Sequence, residues 1–198
     1  MTDERPPLQI RDPRVMRALA HPARLAIIDA LATGQTGTAT QFAQVVGLSP
    51  SATSYHLRAL AKYGLVEEAP SRGDGRERVW RRAGSGFRFE TGPNDSPEVM
   101  DAGRVLVDAV LDRDEAQVRQ WVGSAPSEDP AWYAASQLSK RSILVTADEL
   151  QKINDAVEEL VKPYSVARRL HPPEGARPVA VTYRAFPIDH LASTDVKD

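Results

Sequence analysis

Ser51, Ser54, Tyr55, Arg58 and Lys62 recur at intervals of one, three and four residues between Pro50 and Gly64, a spacing that puts side chains on one face of a helix. Small hydroxyls let such a helix sink into the major groove of a DNA duplex, while Arg58 is long enough to reach a guanine edge and Lys62 a phosphate. A second basic group follows. Arg72, Arg76 and Arg78, with Arg81 and Arg82 nearby, surround the glycine-rich turn Ser71-Arg72-Gly73-Asp74-Gly75-Arg76. Cations there can track a sugar-phosphate backbone or dip into a minor groove, adding attraction that does not depend on base sequence. Each feature also has a plain reading, the stripe as the solvent face of an amphipathic helix and the arginines as solubilising charges on a hairpin. Their joint occurrence favours double-stranded DNA as the partner.

The other chemistry-bearing residues point nowhere as definite. The chain has no cysteine, which removes disulfides, thiolate metal sites and cysteine nucleophiles. His21, just before Pro22, reads as a helix-start residue, and His56 stands beside the basic stripe, where it touches a phosphate or packs at the core edge. His171 and His190 lie near Glu174 and Asp189 without the tight spacing of a metal motif. Gly73-Asp74-Gly75 has no following Lys-Ser/Thr, so it is not a phosphate loop, and no Gly-x-Ser-x-Gly occurs. No catalytic residue, metal ligand or cofactor is therefore expected.

Three helices and a hairpin must position the basic residues. Pro22 suits a first helical position, and Leu25, Ile27, Ile28 and Leu31 follow at mixed three- and four-residue spacings before Gly34 ends the segment. Thr38 can cap a second helix carrying Phe42, Val45 and Val46 up to Gly47. After the turn Gly47-Leu48-Ser49, a third helix starts with Ser49 as cap and Pro50 in its first turn and runs to about Tyr63. Thr53, Leu57 and Leu60 on its other face should point inward with Leu48 and Leu65. Leu65 to Ala69 and Glu77 to Arg82 flank the basic turn as the strands of a hairpin.

At these residues the chain resembles the ArsR-type winged helix-turn-helix regulators. The run Arg17-Ala18-Leu19-Ala20-His21-Pro22-Ala23-Arg24-Leu25-Ala26-Ile27-Ile28-Asp29-Ala30-Leu31 is similar to their opening, and Leu48-Ser49-Pro50-Ser51-Ala52-Thr53-Ser54-Tyr55-His56-Leu57-Arg58-Ala59-Leu60 to their recognition helix. Gly64-Leu65-Val66 and the strand from Arg76 to Trp80 continue the match, which covers residues 12–82. The resemblance implies a homodimeric repressor released from its operator by a signal. Members that sense thiophilic metals carry a cysteine-containing stretch before the recognition helix, and Ala39-Thr40-Gln41-Phe42-Ala43 offers no ligand there.

The charge balance divides the chain in two. Residues 1–90 hold 13 Lys+Arg against 9 Asp+Glu, leaving 12 against 18 for residues 91–198; a basic half joined to an acidic half suggests a polyanion partner for the first alone. The turn formers Thr91-Gly92-Pro93-Asn94-Asp95-Ser96 fall where the balance changes sign. We therefore divide the chain into a DNA-binding domain, 1–90, and a dimerisation and effector-binding domain, 91–198. Beyond the boundary, Ser96-Pro97-Glu98 opens a long helix with Val99, Ala102, Leu106, Ala109, Val110, Val118, Trp121 and Val122 at helical spacing, expected to bend or break at Asp112–Glu115. Thr146-Ala147-Asp148-Glu149 is a capping box leading to Leu150, Ile153, Val157, Leu160, Val161 and Tyr164, with Pro163 closing or kinking the helix. Ser142–Val145 and Pro178–Ala185 read as short strands. Trp121, Trp132, Tyr133 and Tyr164 either line an aromatic effector cavity or pack in a core.

The expected fold class is mainly α with a β-hairpin wing, an N-terminal winged helix-turn-helix followed by a mostly helical α+β C-terminal domain. The expected function is a non-enzymatic, cytoplasmic DNA-binding regulator, since no apolar leader or membrane span is visible. A homodimer should form through Val15, Leu19, Leu106 and Val110, with a small-molecule effector as a further candidate partner. The alternative is a winged-helix adaptor for protein partners that has lost DNA binding.

Overall fold

The computed structural model describes residues 8–70, 77–84, 87–89, 91–92, 94–166, 168–169 and 171–188. Its N-terminal part is built from β1 (Leu8–Ile10), α1 (Pro13–Leu19), α2 (Pro22–Ala32), β2 (Gly37–Thr38), α3 (Ala39–Val46), α4 (Pro50–Lys62), β3 (Val66–Ala69), β4 (Val79–Arg82) and β5 (Phe87–Phe89). Then come α5 (Pro97–Ser124), α6 (Pro130–Ala135) and α7 (Ala147–Val161).

Local chemistry sets the helix ends. Thr38 and Gln41 form a reciprocal capping box at the start of α3, satisfying two of the amides that every helix leaves free at its N-terminus. Ser49 Oγ accepts from Ala52 N at 3.2 Å to start α4, and His21 Nδ1 accepts from Ala23 N at 3.1 Å to start α2. His21 is thus a helix-start residue, as expected. Gly47 ends α3 at φ +69°, a left-handed conformation that side chains with a Cβ resist, and the chain turns there into α4.

Strands β2, β4 and β3 form an antiparallel sheet in that order, with Trp80 of β4 opposite Gly37 and Glu68. The β3–β4 hairpin matches the expected strands, and its turn at 71–76 lies outside the described residues. The sequence did not foretell α1 or the parallel pairing of β1 with β5, Leu8 opposite Phe87. One core joins these elements: Met16 and Leu19 of α1, Leu25, Ile28 and Leu31 of α2, Phe42 of α3, Leu57 and Leu60 of α4, Trp80, and Ala102 and Leu106 of α5.

Helix α5 runs unbroken through Asp112–Glu115, where a bend or break was expected. The polar run is held by partners instead. Arg113 Nε donates to Asp29 Oδ2 at 2.8 Å, Gln117 Nε2 donates to the same oxygen at 3.0 Å, and Glu115 pairs with Arg119 one turn on. Burial pushes the Asp29 carboxyl above the usual aspartate range, against the opposing pull of Arg113.

The C-terminal region is mostly helical, but the expected strands are corrected: 142–145 and 178–185 belong to no strand or sheet. The second segment is fastened to α5 and to the chain that follows it instead. Arg177 forks onto both carboxylate oxygens of Glu128 and lies over Trp132, and Arg184 pairs with Asp114. No residue of α6 or α7 is buried. Among the described residues no helix is long and apolar enough to cross a membrane.

Candidate nucleic-acid interface

Helix α4 presents two faces with different chemistry. Thr53, Leu57 and Leu60 are all buried, with Thr53 Oγ1 donating to Ser49 O at 3.0 Å, so the inward face is as expected. Ser51, Tyr55, Arg58 and Lys62 are exposed and Ser54 is half-buried. They form a ridge.

A groove runs along each flank of that ridge. On the hairpin side, a groove of about 440 Å³ brings Ser51, Ser54 and Arg58 together with Arg78 of the hairpin, Thr38 and Thr40, and Glu77. On the other side, Tyr55, Arg58 and Lys62 face Arg14 and Arg17 of α1, Arg24 of α2, and Tyr63 across about 640 Å³. Arg58 lines both. Among the described residues neither Arg58 nor Lys62 has a carboxylate partner, and Lys62 lies 5.7 Å from the centre of the Tyr63 ring. Arg78 is tied across the hairpin to Glu68 at 3.0 Å, and Arg81 to Glu67 at 2.7 Å. Arg72 and Arg76 lie outside the described residues.

This geometry suits a duplex: an exposed helix face with hydroxyls, a phenol and cations, bordered by grooves lined with further cations. Residues 19–69 match the family model described as "Helix-turn-helix domain". This segment is a winged helix-turn-helix domain. Its third helix is α4, and β4, beyond the matched residues, completes the β3–β4 hairpin that is its wing; the winged helix-turn-helix expected from the resemblance is borne out, and the fold is that of a DNA-binding transcription regulator.

Solved structures similar to the chain include regulators from several bacteria. A solution structure from Mycobacterium bovis, described as a "homodimeric winged helix-turn-helix DNA-binding domain" of "a possible ArsR-family transcriptional regulator", is 29% identical over 52% of this chain and 77% of that one, with a TM-score of 0.33. A mutant of ZitR from Lactococcus lactis in its apo form is 15% identical, over 73% of this chain and 83% of that one, with a TM-score of 0.32. The PcaV transcriptional regulator from Streptomyces coelicolor, in complex with its natural ligand, is 17% identical over 71% and 74%, with a TM-score of 0.30. A search of curated proteins finds no match.

Around the winged helix-turn-helix domain, several sequence-predicted residues take other roles. Leu19 and Leu106, expected at a dimer interface, are both 0% exposed inside the protomer, because α1 packs directly on α5; they are core residues, and Val15 and Val110 are half-buried against the same core. His56 sits between His21, ring centres 4.7 Å apart, and Tyr55. Its Nδ1 is buried without a hydrogen-bond partner, and burial, with His21 and Arg24 adding to it, lowers its pKa below the ordinary histidine value.

None of Trp121, Trp132, Tyr133 and Tyr164 is buried. Arg177 covers Trp132 and Arg169 covers Tyr164, each at 4.8 Å. Among the described residues no cluster of three or more His, Asp or Glu could hold a metal; His190 and Asp189 lie outside them. Sequence reasoning missed Arg14, Arg17 and Arg24. The signal was there in the arginines at 11, 14, 17 and 24, but they fall on two helices whose relative placement the sequence does not show.

Proposed function

We propose that the protein is a sequence-specific transcriptional repressor that binds DNA as a homodimer in the cytoplasm, with α4 in the major groove and the hairpin over the backbone. One observation carries this reading: Ser51, Ser54, Tyr55, Arg58 and Lys62 stand together on the outer face of a helix whose inner face is locked in the core. Arg58 is the base-reading residue and Lys62 a phosphate contact. Arg72, Arg76 and Arg78 of the wing contact the backbone.

The dimer is supported by a second face of α5. Met100, Val107, Leu111, Val118 and Val122 recur at seven- and four-residue steps and are all exposed. At 100° per residue this stripe is turned roughly 150° from the face carrying Ala102 and Leu106. It is the kind of seam on which two helices pack, and two-fold pairing doubles the bases read. The domain after residue 91 serves this pairing and a small-molecule signal, for which exposed Leu138, Ile143 and Val181 offer apolar cover.

Selection of bound fragments from genomic DNA by the purified full chain tests the reading. Enriched sites should be two-fold symmetric, with half-sites about one helical turn apart. A chain that binds no duplex at low salt is instead an adaptor for protein partners.

A further inference from the structure

The two grooves beside α4 differ in charge, and the difference assigns them unequal work. A helix lying in a major groove about 12 Å wide has a phosphate strand on either side, so each flanking groove must receive one. On the hairpin side, among the described residues, Arg58 and Arg78 are the cations and the carboxylate-bearing Glu77 lines the wall. On the α1 side, Arg14, Arg17, Arg24, Arg58 and Lys62 line the groove together with the hydroxyl-bearing Tyr55 and Tyr63, and among the described residues no carboxylate lines it.

We propose that this α1–α4 groove binds one sugar-phosphate strand of the duplex and is the stronger of the two backbone clamps. The proposal rests on the DNA-binding reading and extends it to residues outside the recognition helix and wing. Arg14 is held by Asp12 at 2.7 Å and Arg17 by Glu98 at 3.0 Å. Both pairs are exposed to water, where such pairs are weak. A guanidinium has five N–H donors, so each arginine can add a phosphate or exchange its carboxylate for one. Arg24 is anchored through Nη1 to Ala18 O at 2.7 Å, which fixes the floor of the groove where α1 meets α2.

The test is a salt series of duplex binding by the full chain, using a random-sequence duplex about three helical turns long so that only the backbone is read. Wild type, R14A/R17A, R78A and E98Q are compared, with circular dichroism confirming that each is folded. R14A/R17A should lower the salt slope by about 0.9 for each phosphate that is no longer neutralised, about 1.8 for two, and should weaken binding more than R78A does. E98Q, which frees Arg17, should bind more tightly at low salt, a gain that damage to the fold would not produce. An unchanged slope in R14A/R17A, a larger loss in R78A or weaker binding by E98Q would overturn the proposal. So would sodium tripolyphosphate bound by the wild type but not by R14A/R17A while duplex binding stayed intact, since the groove would then serve a small phosphate ligand. A wild-type chain that bound no duplex would instead remove the DNA-binding reading itself.

Discussion

Arg58 is the side chain on which the two grooves converge, and its position predicts a distinctive variant. Arg58→Ala should weaken operator binding by roughly 1 to 3 kcal/mol and relax preference at one base pair per half-site, as expected when a bidentate hydrogen bond to guanine is removed. Competition among single-base operator variants measures this, and a uniform loss across all sequences would make Arg58 a phosphate contact instead. His56 predicts a pH effect. Its folded pKa lies below that of the unfolded chain, about 6.5, so the unfolded chain takes up the proton first as pH falls. Stability present above about pH 6.5 is therefore lost on acidification towards the folded pKa. Urea midpoints should fall between neutral and mildly acid pH in the wild type and fall less in His56→Gln; parallel curves would assign the loss to other groups.

At the scale of elements, the turn between α3 and α4 sets how the ridge is presented. Gly47 has φ +69°, and a Cβ added there would meet nothing within 4 Å, so Gly47→Ala bears only the backbone penalty of about 1 to 2 kcal/mol. A thermal midpoint lowered by several degrees with the fold retained is expected, and an unchanged midpoint would show that the turn relaxes freely. Helix α5 shows how a polar interruption is absorbed. Asp112–Glu115 has the spacing to break an amphipathic pattern, yet Asp29 of α2 takes Arg113 and Gln117, and continuity follows from partners on another helix.

At the scale of the molecule, α5 has two apolar faces with different roles. Leu106 lies inside the protomer core, so Leu106→Ala should cost about 2 to 5 kcal/mol of stability. Val118 and Val122, 42% and 51% exposed, belong to the stripe proposed for pairing. Lysine at both should leave the winged helix-turn-helix domain folded while lowering the dimer fraction and the cooperativity of operator binding. Light scattering that found the wild type monomeric at micromolar concentration would remove the dimer from the proposal.

What the sequence determined by itself was local. Pro22, Thr38, Gly47, Ser49 and Pro50 mark helix ends through backbone rules that need no distant partner, and the three- and four-residue spacing of Leu57 and Leu60 against Ser54, Arg58 and Lys62 separates an inner from an outer face. Helix α1 escaped notice because seven residues are too few for a periodic signal, although Asp12 and Pro13 are a sound helix start. Only the tertiary structure decided which apolar residues were buried inside the protomer. Leu19 and Leu106 were eligible for a partner until α1 packed on α5, since burial depends on what arrives from elsewhere in the chain. The same packing set Arg14, Arg17 and Arg24 opposite Lys62, making a groove from cations that the sequence keeps up to 48 residues apart. In the C-terminal region, 178–185 read as a strand, but a strand needs a neighbour for its backbone amides, and this part of the chain is instead fastened through Arg184 to Asp114 of α5 and through Arg177 to Glu128 and Trp132.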